Sequence, residues 1–199
     1  MNVAIANILL GEITSLTWLE KYAGLVRTVS RMENKKKQSF PYAIDVVTGD
    51  CDVTTLTDLV PNTLYRSVLY FEEFSGVSSV YDPISRGELC TTELRIVAWL
   101  NGKKMTWSAE QAYMSILKLL RALPPTLSSG DYSKIRIKEV EQELKSAAIF
   151  SKYTYDETMT QHLMHPHDYM SMRARVEFVA DTTCFTDTMV LLDACGETI

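Results

Sequence analysis

The residues that could most readily bind a metal or take part in catalysis are the three histidines of the chain. They all lie in the segment HLMHPHD at positions 162–168. Imidazole nitrogens bind zinc and other transition metals, so His162, His165 and His167 are candidate metal ligands. Their spacing matches neither HExxH nor a triad of two histidines and one carboxylate. Pro166 favours extended backbone before it, which is a weak platform for fixed ligand geometry. We therefore expect no metal, and keep a site at these three histidines as the alternative.

Nucleophilic and phosphate-binding motifs find no support in the sequence. No serine has the GxSxG context of a nucleophile elbow, and the scattered glycines form no GxxxxGK loop. Because histidine is confined to one segment, a Ser–His or Cys–His pair would require that segment to fold back over the sheet. Glu72 and Glu73 are neighbours, but adjacent strand residues face opposite sides. We expect no catalytic residue, no cofactor and no enzyme activity.

Cysteine spacing and hydropathy bear on the compartment of the protein. Neither a zinc ribbon nor a thioredoxin-type motif is indicated, because the four cysteines include no CxxC pair. They are Cys51, Cys90, Cys184 and Cys195. We expect free, mostly buried thiols in a reducing compartment. The most apolar N-terminal stretch, residues 3–10, is shorter than the ~18 residues of a spanning helix and follows no basic region. We expect neither a membrane segment nor a signal peptide.

The charge balance argues against a protein that grips nucleic acid through a basic face. The 199 residues carry 20 Lys and Arg against 25 Asp and Glu, a net charge of −5. The run of Lys35, Lys36 and Lys37 is a candidate phosphate contact. The favoured interpretation is a solvated helix terminus, because lysines there complement the negative end of the helix dipole.

Hydrophobic periodicity predicts the elements that position these residues. An apolar stripe at spacings of three and four predicts a helix over residues 15–31, after a short helix over 2–10. Ser108 and Gln111 form a capping box that opens a second main helix over 108–123. Alternation with a period of two predicts strands over 40–46, 64–74, 77–81, 88–100, 133–140 and 172–180. Residues 140–148 also suit a helix, so the end of the 133–140 strand stays open.

These elements predict an α+β fold, with a mainly antiparallel sheet covered on one face by the two main helices. With 46% hydrophobic and 23% charged residues, the chain has the composition of a globular protein, and residues 1–199 are expected to form a single domain. Residues 153–169 are the least regular stretch, and we expect a long loop or an arm there. Candidate contacts with a partner or another subunit cluster in and beside it: Tyr153, Tyr155, Met164, Tyr169, Met170 and Met172. The methionines are equally suited to the core at a strand start.

The order of elements resembles the tail terminator and related head–tail joining (tail completion) proteins of long-tailed bacteriophages. Those proteins have an N-terminal amphipathic helix, an antiparallel sheet, a second helix, a hairpin and a last strand. The matching stretches are residues 15–31, 40–47, 67–100, 108–123 and 173–180. The resemblance covers most of the chain as a pattern, while residues 48–62 and 153–169 exceed it. It contains no diagnostic motif, so no site residue is carried over.

The resemblance implies a structural virion protein that forms a homo-oligomeric ring, expected to be a hexamer. The ring would cap the tail tube, dock to a neck or head-completion protein, and let DNA pass without specific binding. It implies a place in the tail or neck of the virion, after assembly in the host cytoplasm. An acidic lumen would suit such a conduit, because it does not bind the passing DNA. Two alternatives remain: a neck or head-closure adaptor of the same fold, and a metal-dependent hydrolase that uses the 162–168 histidine segment.

Overall fold

The computed structural model describes residues 1–33, 36–44, 59–83, 87–125, 127–143, 147–154 and 160–180. Over these residues the structure has two α-helices, seven strands and two short 3₁₀ turns. The helices and strands are, in chain order, α1 (Asn2–Ile13), β1 (Lys21–Glu33), β2 (Lys36–Ala43), β3 (Ser67–Glu73), β4 (Ser78–Asp82), β5 (Gly87–Leu100), α2 (Ala109–Arg121), β6 (Tyr132–Gln142) and β7 (Asp168–Ala180). The 3₁₀ turns span Ala147–Phe150 and Gln161–Leu163. The predicted α+β class is confirmed.

The seven strands form one mixed sheet in the order β2-β1-β3-β5-β7-β6, with β4 paired to β5 off this path. Every pair is antiparallel except β1–β3. Strand β5 is at the centre: it pairs with β7 from Glu88↔Ala180 to Leu100↔Asp168. On its other side, β3 pairs with the second half of β5 and β4 with the first half. The mainly antiparallel sheet is therefore as predicted.

Both helices cover the same face of the sheet. Alternate residues of β5, such as Leu94 and Ile96, lie in one buried cluster with Leu9 of α1 and Ile116 of α2. Strand residues of opposite parity lie in a second cluster on the other face, which Leu59, Phe150 and Tyr153 cover from the connecting segments. Because side chains alternate across a strand, β5 is buried on both faces and holds the two clusters together.

The predicted helix over residues 15–31 is wrong, because most of this stretch is the 13-residue strand β1. Gly24 and the β-branched residues Val26, Thr28 and Val29 disfavour a helix, and here they pair with β2 and β3. Leu25 and Val26 are consecutive and both buried, but in opposite clusters. The N-terminal helix on the sheet is α1, which was predicted as the short helix over 2–10.

Helix α2 begins as predicted from its capping box. The Ser108 hydroxyl accepts a hydrogen bond from the Gln111 N–H, and the Gln111 side chain accepts one from the Ser108 N–H. Residues 132–142 form strand β6, which resolves the open boundary in favour of a strand. Cys90 is a free, buried thiol whose pKa is raised by burial, while Cys51, Cys184 and Cys195 lie outside the described residues. Within the described ranges, no helix is long and apolar enough to cross a membrane.

Candidate functional site

The histidine segment lies against the second face of the sheet, where Trp99 of β5 organises it. The His167 ring stacks on the Trp99 ring, with centroids 5.1 Å apart and planes at 29°. The Trp99 Nε1–H donates a hydrogen bond of 2.7 Å to the carbonyl oxygen of His162. The His162 and His167 rings then meet edge to face at a centroid distance of 5.8 Å. Trp99 thus brings two of the three histidines together.

The carboxylate that follows the histidines, Asp168, is hydrogen-bonded to the start of helix α2. The Asp168 Oδ2 atom accepts a 2.6 Å hydrogen bond from the Ala109 N–H, at the first turn of the helix. Its Oδ1 atom accepts a 3.0 Å bond from the Tyr169 N–H. Among the residues with described positions, no three His, Cys, Asp or Glu side chains lie close enough to hold a metal ion. His165 is exposed to solvent. The two imidazoles that contact each other, and that a metal site would use, are those of His162 and His167.

Burial lowers the pKa of both His162 and His167 below the ordinary value of a histidine. The positive charge of Lys103 lowers both pKa values further, and the two neighbouring histidines add to the effect at His167. Both imidazoles are therefore neutral at pH 7 in the folded chain. A neutral, stacked imidazole suits a packing role on Trp99.

We expect the free energy of unfolding to decrease as the pH falls through about 6.5, the ordinary histidine pKa. In this range the unfolded chain binds more protons at His162 and His167 than the folded chain does, because folding lowers the pKa of both imidazoles. Urea unfolding at pH 7.5 and 5.5 measures the effect. The double variant His162→Gln with His167→Gln should show a smaller pH dependence than wild type, and His165→Gln is the control. An equal slope in the double variant would contradict this origin.

Strands β1 and β2 continue beyond the sheet as a two-stranded ribbon. Pairing of β1 with β3 ends at Val26↔Glu72, whereas its pairing with β2 continues to Glu33↔Lys36. At ~3.3 Å per residue, residues 27–33 extend ~20 Å past the last β3 partner. The ribbon is held midway along its length, at the Ser30–Ser39 pair, where Ser39 and Thr154 exchange two backbone hydrogen bonds. Towards its end, the Met32 side chain is 66% exposed.

Two residues of the lysine run lie in this ribbon, so the interpretation of the run as a helix terminus is wrong. Lys36 and Lys37 begin β2 and are exposed, while Lys35 lies outside the described residues. Successive strand residues face opposite sides, and the register places Lys36 opposite Glu33 and Lys37 opposite Met32. The two described lysines therefore point away from each other and do not form one phosphate-binding patch.

The predicted contact residues are divided between the core and the surface. Met170 and Met172 are fully buried in the cluster under the helices, so the core interpretation is confirmed and their side chains are not available to a partner. Tyr153 is also buried, and Tyr169 is half-buried with its ring edge to face with Phe150. Met164 is 66% exposed. The sixth predicted residue, Tyr155, lies outside the described residues.

A network of ion pairs, which was not predicted from the sequence, covers part of the second face. The Arg95 guanidinium binds Glu143 with two hydrogen bonds of 2.6 and 2.8 Å, and the Lys152 Nζ atom lies 2.6 Å from the buried Glu72 carboxylate. The Tyr153 hydroxyl donates a 2.8 Å hydrogen bond to Glu72. Further pairs are Arg173 with Glu93 and Glu141, and Glu177 with Arg136 and Lys138. The alternating charges of β5 and β7 are the sequence signal that could have found it.

This network pairs basic side chains of the sheet with carboxylates. Burial opposes ionisation of Glu143, but its hydrogen bond and charge contact with Arg95 outweigh it, so the pKa of Glu143 is lowered. The same hydrogen bond raises the pKa of Arg95. The Phe74 ring adds cation–π contacts to Arg95 and Arg173, at 4.9 and 4.8 Å from its centroid. Charges paired in this way are poorly placed to bind a phosphate backbone.

The two ends of the sheet differ in their capacity to add a strand. At the β2 end, Thr154 already bonds to Ser39, and Pro41 has no N–H to donate. At the β6 end, the Ile135 N–H donates to the Leu127 carbonyl oxygen. Residues 136–142 of β6 pair with β7, and within the described ranges no strand pairs with their other side. Among the outermost strands β2 and β6, this stretch of β6 is the more open.

Comparison with known proteins identifies no family for this chain. No protein-family model matches it, and a search of the curated proteins finds no match.

Proposed function

We propose that the protein is a structural virion subunit of the tail-terminator type. In this proposal it forms a homo-oligomeric ring, expected to be a hexamer, that caps the tail tube and joins it to a neck or head-completion protein while DNA passes. The observation that carries the proposal is the β1–β2 ribbon, which extends past the sheet and exposes Met32. The first half of the ribbon is supported within the chain, because residues 39–42 of β2 are buried and Ser39 bonds to Thr154. Its end is exposed at Met32, Lys36 and Lys37, so a neighbouring copy is a natural support for it.

Ring closure of this kind requires two different patches on each subunit, because the contact is head to tail. The ribbon provides one patch, at the β2 end of the sheet. The other patch must lie elsewhere on the subunit, and the open part of β6 is at the opposite end of the sheet. Two distinct surfaces at opposite sheet ends suit a heterologous interface better than a two-fold one.

The order and placement of the elements also support the proposal. Helices α1 and α2 cover one face of a mainly antiparallel sheet, and α2 leads into the antiparallel strands β6 and β7. The resemblance to tail terminator proteins implies this arrangement. The stretch that was matched to their first helix, residues 15–31, is mostly strand β1, and α1 takes the helical position before the sheet.

The charge distribution supports passage of DNA without specific binding. The chain has a net charge of −5, and several arginines and lysines of the second sheet face are paired with carboxylates. A ring lined by such surfaces would repel the phosphate backbone of DNA or leave it unbound. The proposal fails on this point if basic residues are found to line the channel.

A neck or head-closure adaptor of the same fold differs from a terminator in its partner, and binding to purified tail tube protein distinguishes the two. The third candidate, a metal-dependent hydrolase, has less support. Its histidine segment brings His162 and His167 together, while the neighbouring carboxylate of Asp168 binds the start of α2. Stoichiometric zinc in the purified monomer, with activity lost on chelation, would favour the hydrolase.

The mass of the protein in solution tests the ring directly. We expect light scattering behind size exclusion to find a discrete ring-sized species, or a monomer that forms rings when tail tube protein is added. The Met32→Asp variant should shift the equilibrium towards monomer, because it places a charge in the apolar contact that we assign to the ribbon.

Leu64→Asp is the matched control, since Leu64 is 71% exposed in a connecting segment away from the ribbon. It should assemble like wild type. A strictly monomeric wild-type protein, with and without tail tube, would overturn the ring. If both variants assemble equally well, the ribbon is not part of the subunit interface.

A further inference from the structure

Two adjoining depressions along the outer flank of α2, together called the groove here, include one that reaches the open part of β6. One depression, of about 440 Å³, lies between the end of α2 and residues 136–140 of β6, and its apolar lining includes Leu120, Ile137 and Val140. A second, of about 600 Å³, continues along α2 past Met114 and Leu117. Arg121 lines both, so the two depressions adjoin.

The floor of the groove is apolar along α2, at Met114, Leu117 and Ala122. The part at β6 is mainly polar and is lined by Arg121, Arg136, Lys138 and Glu139. Met114 is 53% exposed and lies in the apolar part of the groove. Lys118 and Arg121, in the last turn of α2, form a cationic rim beside the apolar floor, while Lys138 of β6 is already paired with Glu177. Such a surface favours an extended segment that combines apolar and acidic side chains.

The chain itself contains such a segment after β7. Residues 181–199 lie outside the described residues, and their sequence has four acidic residues and no lysine or arginine: Asp181, Asp187, Asp193 and Glu197. Within it, residues 189–192 read MVLL, an apolar run with an aspartate just after it and another two positions before it. The charge of this segment is therefore complementary to Lys118 and Arg121, the cations beside the apolar floor.

The end of β7 is also close to the groove. Ala180, the last residue of β7, is the register partner of Tyr132, the first residue of β6. The C-terminal segment therefore leaves the sheet beside the strand that forms one wall of the groove. At up to ~3.3 Å per residue, residues 181–188 span as much as ~26 Å, which is enough to bring the MVLL run into the groove.

We propose that this groove binds the chain's own C-terminal segment, with residues 189–192 on the apolar floor and Asp187 and Asp193 beside the cations of the rim. Burial of the apolar run supplies the affinity, and the pairing of Asp193 or Asp187 with Arg121 supplies the register. The interaction goes beyond the proposed function and does not depend on it, because it is defined by two parts of one sequence.

Crosslinking in the full-length chain tests the proposal, because Cys184 and Cys195 lie on either side of the MVLL run. A Met114→Cys variant places a thiol in the groove, and a short bismaleimide followed by peptide mapping reports its partners. We expect crosslinks to Cys184 or Cys195, at a yield at least roughly tenfold above that of Met32→Cys on the distant ribbon. Equal yields from the two variants would overturn the proposal.

A second pair of variants tests the chemistry of the contact in the Met114→Cys background. Leu191→Asp should lower the crosslink yield roughly tenfold or more, because it places a charge on the apolar floor. Thr198→Asp, outside the run, should leave the yield unchanged. Both substitutions lie outside the described fold, so they separate docking from folding. An unchanged yield with Leu191→Asp would show that the apolar run does not bind the groove. Ring assembly, measured separately by light scattering, tests the proposed function independently.

Discussion

Replacing Trp99 by alanine is expected to lower the free energy of unfolding by about 3–5 kcal/mol. Trp99 is fully buried at the centre of the second cluster and is among the largest buried side chains of the protein. The substitution leaves a cavity there, removes the stacking partner of His167, and leaves the His162 carbonyl oxygen without its indole donor. Urea unfolding followed by far-UV circular dichroism measures the change.

Two further variants separate the parts of this effect. Trp99→Phe keeps most of the buried apolar area but loses the indole N–H, so it should cost less than Trp99→Ala and more than the ~1 kcal/mol of one hydrogen bond. Trp107→Ala is the control, because Trp107 is exposed and contacts Trp18 at a centroid distance of 6.1 Å. If Trp99→Ala and Trp107→Ala cost the same, Trp99 is not the organiser of the second face.

Replacing Gly102 by alanine is expected to have the second large effect. A Cβ atom at Gly102 would lie 1.8 Å from the carbonyl oxygen of Pro166 and 2.7 Å from its carbonyl carbon. Both are backbone atoms, so no side-chain rotation relieves the overlap, and the 164–167 segment must move away from the end of β5. We expect a loss of about 2–4 kcal/mol in the free energy of unfolding, measured by the same urea titration.

Gly11→Ala is the matched control for this glycine. Gly11 lies in α1, and nothing lies within 4 Å of an added Cβ atom. Alanine is the better helix former by ~0.5–1 kcal/mol, so this variant should be slightly more stable than wild type. Hydrogen exchange of residues 160–168 should rise in Gly102→Ala and stay unchanged in Gly11→Ala. If Gly102→Ala is as stable as Gly11→Ala, the backbone of Pro166 does not lie close enough to Gly102 to exclude a Cβ atom.

Several elements could be predicted from the sequence because their local signals agree with their tertiary surroundings. In β5, alternate residues over 93–100 belong to the two opposite faces of the strand, and each face packs in one of the two clusters. The period of two in the sequence is therefore the period of the side chains in the sheet. Helix α2 begins at the capping box of Ser108 and Gln111, which is an interaction between near neighbours in the chain. Strand β7 and the short N-terminal helix were predicted for similar reasons.

The stretch over residues 15–31 shows why local pattern is not enough. Its apolar residues fit a helical stripe, yet Val26 to Glu33 pair with β2 and Lys21 to Val26 also with β3. The hydrogen bonds of a strand are made with residues far along the chain, so periodicity in one segment contains no information about them. The position of the lysine run in a ribbon, with Lys36 and Lys37 on opposite faces, follows from the same pairing.

The sequence alone determined the class of the fold, the sheet strands with a clear period of two, the capped start of α2 and the acidic balance of the chain, because each depends on composition or on neighbours in the sequence. Tertiary structure decided which side chains were left for a partner. Met170 and Met172 were taken into the core, Asp168 was bound to α2, and His162 and His167 were gathered on Trp99. These outcomes depend on which strands become neighbours in the sheet, and that pairing is set by contacts between distant parts of the chain.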